Sequence, residues 1–148
     1  MAKLKIAEGA WVVVCDGAKA LVLENAGDAK FPNLRAKEVF EEPHASTHEQ
    51  GTDAPGRSHN SVGTARTAME QTDWHDQAER QFLAKLIARI ETAIATGETK
   101  SLIMVAPPRA LGMLRQAYSQ RLRGALRHEV DKDLVKMPVH EIEKYLVG

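Results

Sequence analysis

Trp11-Val12-Val13-Val14-Cys15 is an unbroken apolar run dominated by β-branched residues, which predicts a strand buried on both faces. Asp16-Gly17 follows as a two-residue hairpin signal, with positive φ expected at both turn positions. Ala18 to Glu24 returns as a second strand, and Asn25-Ala26-Gly27-Asp28 marks the next turn. Leu34 to Glu41 alternates imperfectly between apolar and charged residues and predicts a third, half-exposed strand ended by Pro43. Three successive strands make an antiparallel meander.

Regularity is lost from Glu42 to Asp76, a long polar loop rich in Gly, Ser, Thr, Asn, Asp and Gln. It resumes where Asp73 can cap a helix, with Asp76 and Glu79 near the positive end of its dipole. Phe82, Leu83, Leu86, Ile87, Ile90 and Ile94 then recur at helical spacing, and Gly97 is placed to stop the helix. Ser101 to Ala106 has no alternation, as expected of a central strand. Pro107-Pro108 ends it, with Pro108 as a first helical residue. Leu111, Leu114, Tyr118, Leu122 and Ala125 predict one amphipathic helix whose other faces carry Arg109, Arg115, Arg121, Arg123 and Arg127. A short strand around Val130, within Glu129–Leu134, and a last helix opened by Pro138 complete the chain. The predicted class is α/β, a single domain over residues 1–148 with a mixed sheet and the order βββ, long loop, αβαβα.

The 148 residues suffice for one domain with a real core. Twenty basic and twenty acidic residues cancel, so no global field draws the chain to nucleic acid or to an anionic membrane; a local basic patch stays possible, and neither DNA nor membrane is expected as a partner. No segment has the length and apolarity of a membrane span, and the first residues lack the apolar core of a signal peptide. Cys15 is the lone cysteine. With no intrachain disulfide possible, a cytoplasmic location is the expectation.

Candidate chemistry gathers in the polar loop, which holds His44, His48, His59 and His75, four of the six histidines. Zinc accepts such ligands together with Asp53 or Asp76, but the spacing fits no established metal motif and Pro43 opposes a helix carrying His44 and His48. The plain alternative is a set of solvated loop histidines, so no metal and no cofactor are predicted. Glu49 to Arg57 is turn-rich, and its glycines with Arg57 suit approach to a phosphate, though no phosphate-loop motif is present. Asp16, at the end of the first strand, could ligate a nuclease metal with Asp131 and Asp133, but its turn already explains it. Cys15 lacks a basic neighbour and reads as a core thiol. Trp74-His75-Asp76 reads first as a helix start.

Taken together, Trp11-Val12-Val13-Val14, Asp16-Gly17-Ala18, Glu42-Pro43-His44, His48-Glu49-Gln50-Gly51-Thr52-Asp53, Pro55-Gly56-Arg57, Asp73-Trp74-His75-Asp76, Ala106-Pro107-Pro108-Arg109, Leu111-Gly112 and Asp131-Lys132-Asp133-Leu134 resemble the bacterial host attachment protein family. That family is similar in turn to the middle domain of eukaryotic and archaeal class I peptide-chain release factors. The resemblance implies a ribonuclease H-like mixed sheet. It also implies a ribosome or structured RNA as partner, contacted through the long loop. The release-factor Gly-Gly-Gln is missing; Gln50-Gly51 stands in another context, so peptidyl-tRNA hydrolysis is not expected to carry over.

The resulting expectation is a cytoplasmic binding module, not an enzyme, that affects host attachment indirectly. His48, Glu49 and Gln50 would form the loop tip, and Arg57, Arg66 and Arg109 the phosphate contacts, with His44, Asp53, Trp74, His75 and Asp76 beside them. Two alternatives stay open: a hydrolase using the loop histidines, with or without metal, and a protein-interaction module.

Overall fold

The computed structural model describes residues 4–42 and 64–148, with side chains from residue 74 onward in the second segment. Among the described residues, five strands form one mixed sheet in the order β3-β2-β1-β4-β5. β1 (Trp11–Cys15), β2 (Lys19–Asn25) and β3 (Leu34–Glu41) are the predicted meander. β4 (Leu102–Ala106) and β5 (Leu126–Asp131) run parallel to β1. The single α/β domain with a mixed sheet is therefore as the pattern predicts.

β1 is central, and its apolar run follows from that position. Trp11, Val13 and Cys15 face one core; Val12 and Val14 face another, and all five are fully buried. The first core is roofed by α1 (Thr64–Ala95), α2 (Pro108–Ala117) and α3 (Gln120–Ala125), which contribute Leu83, Leu86, Ile90, Leu111, Leu114 and Leu122. The second is covered by α4 (Val139–Val147), through Ile142 and Leu146, and by Ile6, Leu134 and Val135. Fully burying each such side chain contributes roughly 1.5–3 kcal/mol.

Asn25 ties the first strands to the N-terminal segment. Its buried amide donates to the carbonyls of Ile6 (2.8 Å), Ala7 and Asp28, while its oxygen accepts from the backbone N–H groups of Gly27 and Asn33. α1 ends as predicted at Gly97, whose φ of 81° places it in the left-handed region. There Gly97 N–H donates to Ile94 and Glu98 N–H to Ala93, the paired closure of a Schellman motif.

Four expectations are corrected. α1 begins at Thr64 instead of at an Asp73 cap, so residues 64–76 are helical and the polar connection is shorter than predicted. The single helix expected after Pro108 is two: Tyr118 ends α2 and Ser119 caps α3, its Oγ accepting from Leu122 N–H at 3.0 Å. A Glu91 carboxylate from α1 accepts the Ser119 N–H and pins the break. β5 includes Val130 as expected but begins at Leu126 and ends at Asp131, shifted by three residues from the Glu129–Leu134 window. Gly17 does not have positive φ; Asp16 builds the hairpin by accepting from Ala18 and Lys19 N–H through one carboxylate oxygen, both at 2.8 Å. Among the described residues no helix is long and apolar enough to cross a membrane.

Across the α2–α3 break, Glu129 on β5 accepts from Arg115 at 2.7 Å and from the Tyr118 hydroxyl at 2.9 Å. The Arg115 hydrogen bond foremost holds the Glu129 carboxyl below its usual range, against a smaller effect of burial. Burial foremost, then the bond to Glu129, pushes the Tyr118 phenol up. A depressed carboxyl stabilises above its unfolded pKa of about 4.3, and the benefit is lost as pH falls through the folded value. A raised phenol stabilises below its unfolded pKa of about 10, and the benefit is lost as pH rises through the folded value. The contribution of this clasp to stability should thus be flat between about pH 5 and 10 and fall on either side. Denaturant unfolding across pH should show Glu129→Gln to be destabilising on the plateau, with the gap to wild type closing on the acid side; a gap independent of pH would refute the assignment.

Candidate functional site

Because β1 and β4 are parallel, their carboxyl ends lie at the same end of the sheet, where α/β proteins commonly place ligands. A cleft of about 420 Å³ opens there. Its floor is the hairpin Asp16-Gly17-Ala18 with Pro107 and Ala110; its wall is His75, Ala78 and Glu79 from α1; Glu42 and Arg109 complete the rim. A second cleft of about 310 Å³ shares Glu42 and runs between Phe40 at the end of β3 and Phe82, Lys85 and Leu86 of α1.

Local sequence explains the rim. Pro107-Pro108 stops β4 and starts α2, which places Arg109 in the first helical turn, where the dipole disfavours a cation. Asp76 and Glu79, three residues apart on one face of α1, offset that charge. Arg109 pairs with Asp76, and its Nε lies 3.2 Å from Glu79 Oε1. The pairs are solvent-facing, with the Arg109 side chain 63% exposed, so each contributes at most about 1 kcal/mol. Glu79 also lies over Gly17: a Cβ there would stand 2.7 Å from Glu79 Cδ, so the flexible Glu79 side chain would have to shift. Trp74 is half exposed on the helix beside this rim, one residue from His75.

Of the residues singled out from sequence, Asp16, His75 and Arg109 line the cleft, and Asp76 is paired with Arg109. His44, His48, Glu49, Gln50, Asp53, Arg57 and His59 lie outside the described residues, as does the Arg66 side chain. Asp16 stands at the end of β1 as expected. Asp131 ends β5, two strand spacings or about 10 Å across the sheet, so the two carboxylates do not converge. Among the described residues no three His, Cys, Asp or Glu side chains are grouped to hold a metal ion. The Cys15 thiol is pushed up to about 12, chiefly by burial, which keeps it protonated and unreactive. Sequence reasoning missed Glu42 and Glu79 as rim residues; Glu79 was visible only as a helix-end charge.

The sequence matches the family described as "Protein required for attachment to host cells" over residues 11–146. No curated relative matches. Similar solved structures include the ethanolamine utilization protein EutJ from Carboxydothermus hydrogenoformans (13% identity, TM-score 0.43, 95% of this chain and 50% of that one). They also include Dom34 from S. cerevisiae, a translation termination-like factor (12% identity, TM-score 0.39, 92% and 35%). The chain thus spans half or less of the length of either structure.

The contact between Gly17 and Glu79 makes the rim testable. Gly17→Ala should destabilise the wild-type background and be neutral or stabilising in a Glu79→Ala background, with a coupling of about 0.5–1 kcal/mol in a double-mutant cycle. Additive effects would show that Glu79 does not lie over the hairpin.

Proposed function

The chain belongs to the host attachment protein family, and on that premise we propose that it is a cytosolic binding module for the ribosome or structured RNA, which affects attachment indirectly. The observation that carries this reading is the charge pattern of residues 108–127: five arginines and no Asp or Glu, in a chain whose net charge is zero. Such a run supports a local footprint for phosphates: four of the arginines lie on α2 and α3 and Arg127 on β5, with Arg109 and Arg115 also paired to carboxylates.

The carboxyl end of the sheet supplies a second contact region. Residues 43–63 depart from Glu42 at the rim of the cleft, and α1 returns the chain to it at His75 and Glu79. In this reading His48, Glu49 and Gln50 form the tip, Arg57 and Arg66 meet phosphates, and His44, Asp53 and Trp74 lie beside them. A phosphate has to compete with Asp76 and Glu79 for Arg109. The hydrolase alternative draws less support, because Asp76 and Glu79 are already engaged in ion pairs with Arg109.

Cosedimentation with ribosomes in low and moderate salt tests the proposal. The expected result is association at about 50 mM salt that weakens sharply by about 200 mM. Arg57→Ala and Arg66→Ala should weaken it further and flatten the salt dependence. Absence of association at both salt concentrations would overturn the reading.

A further inference from the structure

Two glycines of the helical layer have no internal reason to be glycine. Gly112 lies within α2 and Gly124 within α3, and both are exposed. Neither has positive φ, and a Cβ added to either meets no atom within 4 Å. Glycine inside a helix is destabilising relative to alanine, so the chain forgoes stability at two open positions. Close approach of a backbone from outside is the use of glycine that this pattern fits.

Arginines bracket both positions. Arg109 and Arg115 stand three residues to either side of Gly112, along one stripe of α2. In α3, Leu122 and Ala125 point into the core, which turns Gly124 outward with Arg121 and Arg123 flanking it. Arg123 is held in place: its guanidinium stacks on Tyr118, 5.4 Å from the ring centre, and donates to the Arg115 carbonyl at 3.0 Å. Arg127 donates to the Gly124 carbonyl at 3.0 Å. None of the ion pairs among the described residues takes up Arg121, Arg123 or Arg127. Arg123 acts on the Glu129 carboxylate only beyond ion-pair distance, and each guanidinium keeps N–H donors that can meet a phosphate.

We infer that the outer faces of α2 and α3 seat the sugar-phosphate backbone of double-helical RNA, with Gly112 and Gly124 where the strand comes closest. The inference rests on the RNA-binding reading above and names the surface and the form of RNA. A single strand would need exposed aromatic rings to stack its bases, and a bilayer would need apolar residues to insert. The exposed large apolar residues among those described are Phe31, Val39 and Trp74, all on other elements. RNA duplexes are recognised by shape and by backbone contacts across a wide, shallow groove.

The test uses the full chain and an RNA duplex of about 16 base pairs, with a DNA duplex of the same sequence, a single RNA strand and phosphatidylserine vesicles as separate arms. Wild type should bind the RNA duplex most tightly. Arg121→Gln with Arg123→Gln should reduce the magnitude of the log–log salt slope by about 2. Gly112→Ala and Gly124→Ala should raise Tm by about 2–4 °C, showing intact folding, while weakening duplex binding several-fold. Wild-type affinity in the glycine and arginine variants, or equal binding in any other arm, overturns the inference. If wild type cosediments with ribosomes and all four substitutions leave that unchanged, the surface is wrong and the RNA reading survives. If wild type binds neither ribosome nor duplex, both fall.

Discussion

Everything in this fold depends on covering both faces of β1. Five consecutive side chains, Trp11 to Cys15, are fully buried, and that is possible only if β1 is an inner strand with a layer on either side. β2 pairs with one edge antiparallel, through a hairpin closed by Asp16, and β4 pairs with the other in parallel. The parallel partner requires a long crossover, which α1 supplies, and α1 in turn roofs one core. The second face is left for α4 and the N-terminal segment.

The same constraint creates the cleft. Parallel β1 and β4 end together, and their continuations, Asp16-Gly17-Ala18 and Pro107-Pro108-Arg109, diverge from a common edge. α1 is 32 residues, about 48 Å, whereas five-residue strands span about 17 Å. The helix therefore outruns the sheet it covers, which is how His75, Asp76 and Glu79 come to stand at the rim.

Much of this was legible in the sequence where burial and periodicity agree. β1, β4 and the proline starts of α2 and α4 were readable because each is an apolar run or a fixed-φ boundary, and β3 was readable from its imperfect apolar–charged alternation. The break between α2 and α3 was hidden because Leu114, Tyr118 and Leu122 keep their spacing across it, both helices packing on α1. Ser119 was its only local mark. β5 was displaced because Arg127 and His128 sit on an edge strand, where exposure removes the apolar signal. The start of α1 was misplaced because Asp73 and Asp76 resemble a capped helix end, and a helix that outruns its sheet needs no apolar stripe there. Of the site, Arg109 and the 75–76 pair could be named, but their mutual pairing is a tertiary fact that no spacing encodes.

Charge is distributed with the same economy. Arg89 is drawn over Trp11 by Glu38 and Glu98, and Arg109 is drawn to α1 by Asp76 and Glu79. Among the described residues the arginines of α3 and β5 form no such ion pair, and α2 and α3 carry glycine where alanine would be more stable. The central claim is that this layer contacts RNA. Ultraviolet crosslinking of the chain to ribosomes, followed by mass spectrometry of the nucleotide-linked peptides, addresses it most directly. The account predicts crosslinks within residues 108–127; their absence there, with crosslinks confined to the α4 face, would contradict it.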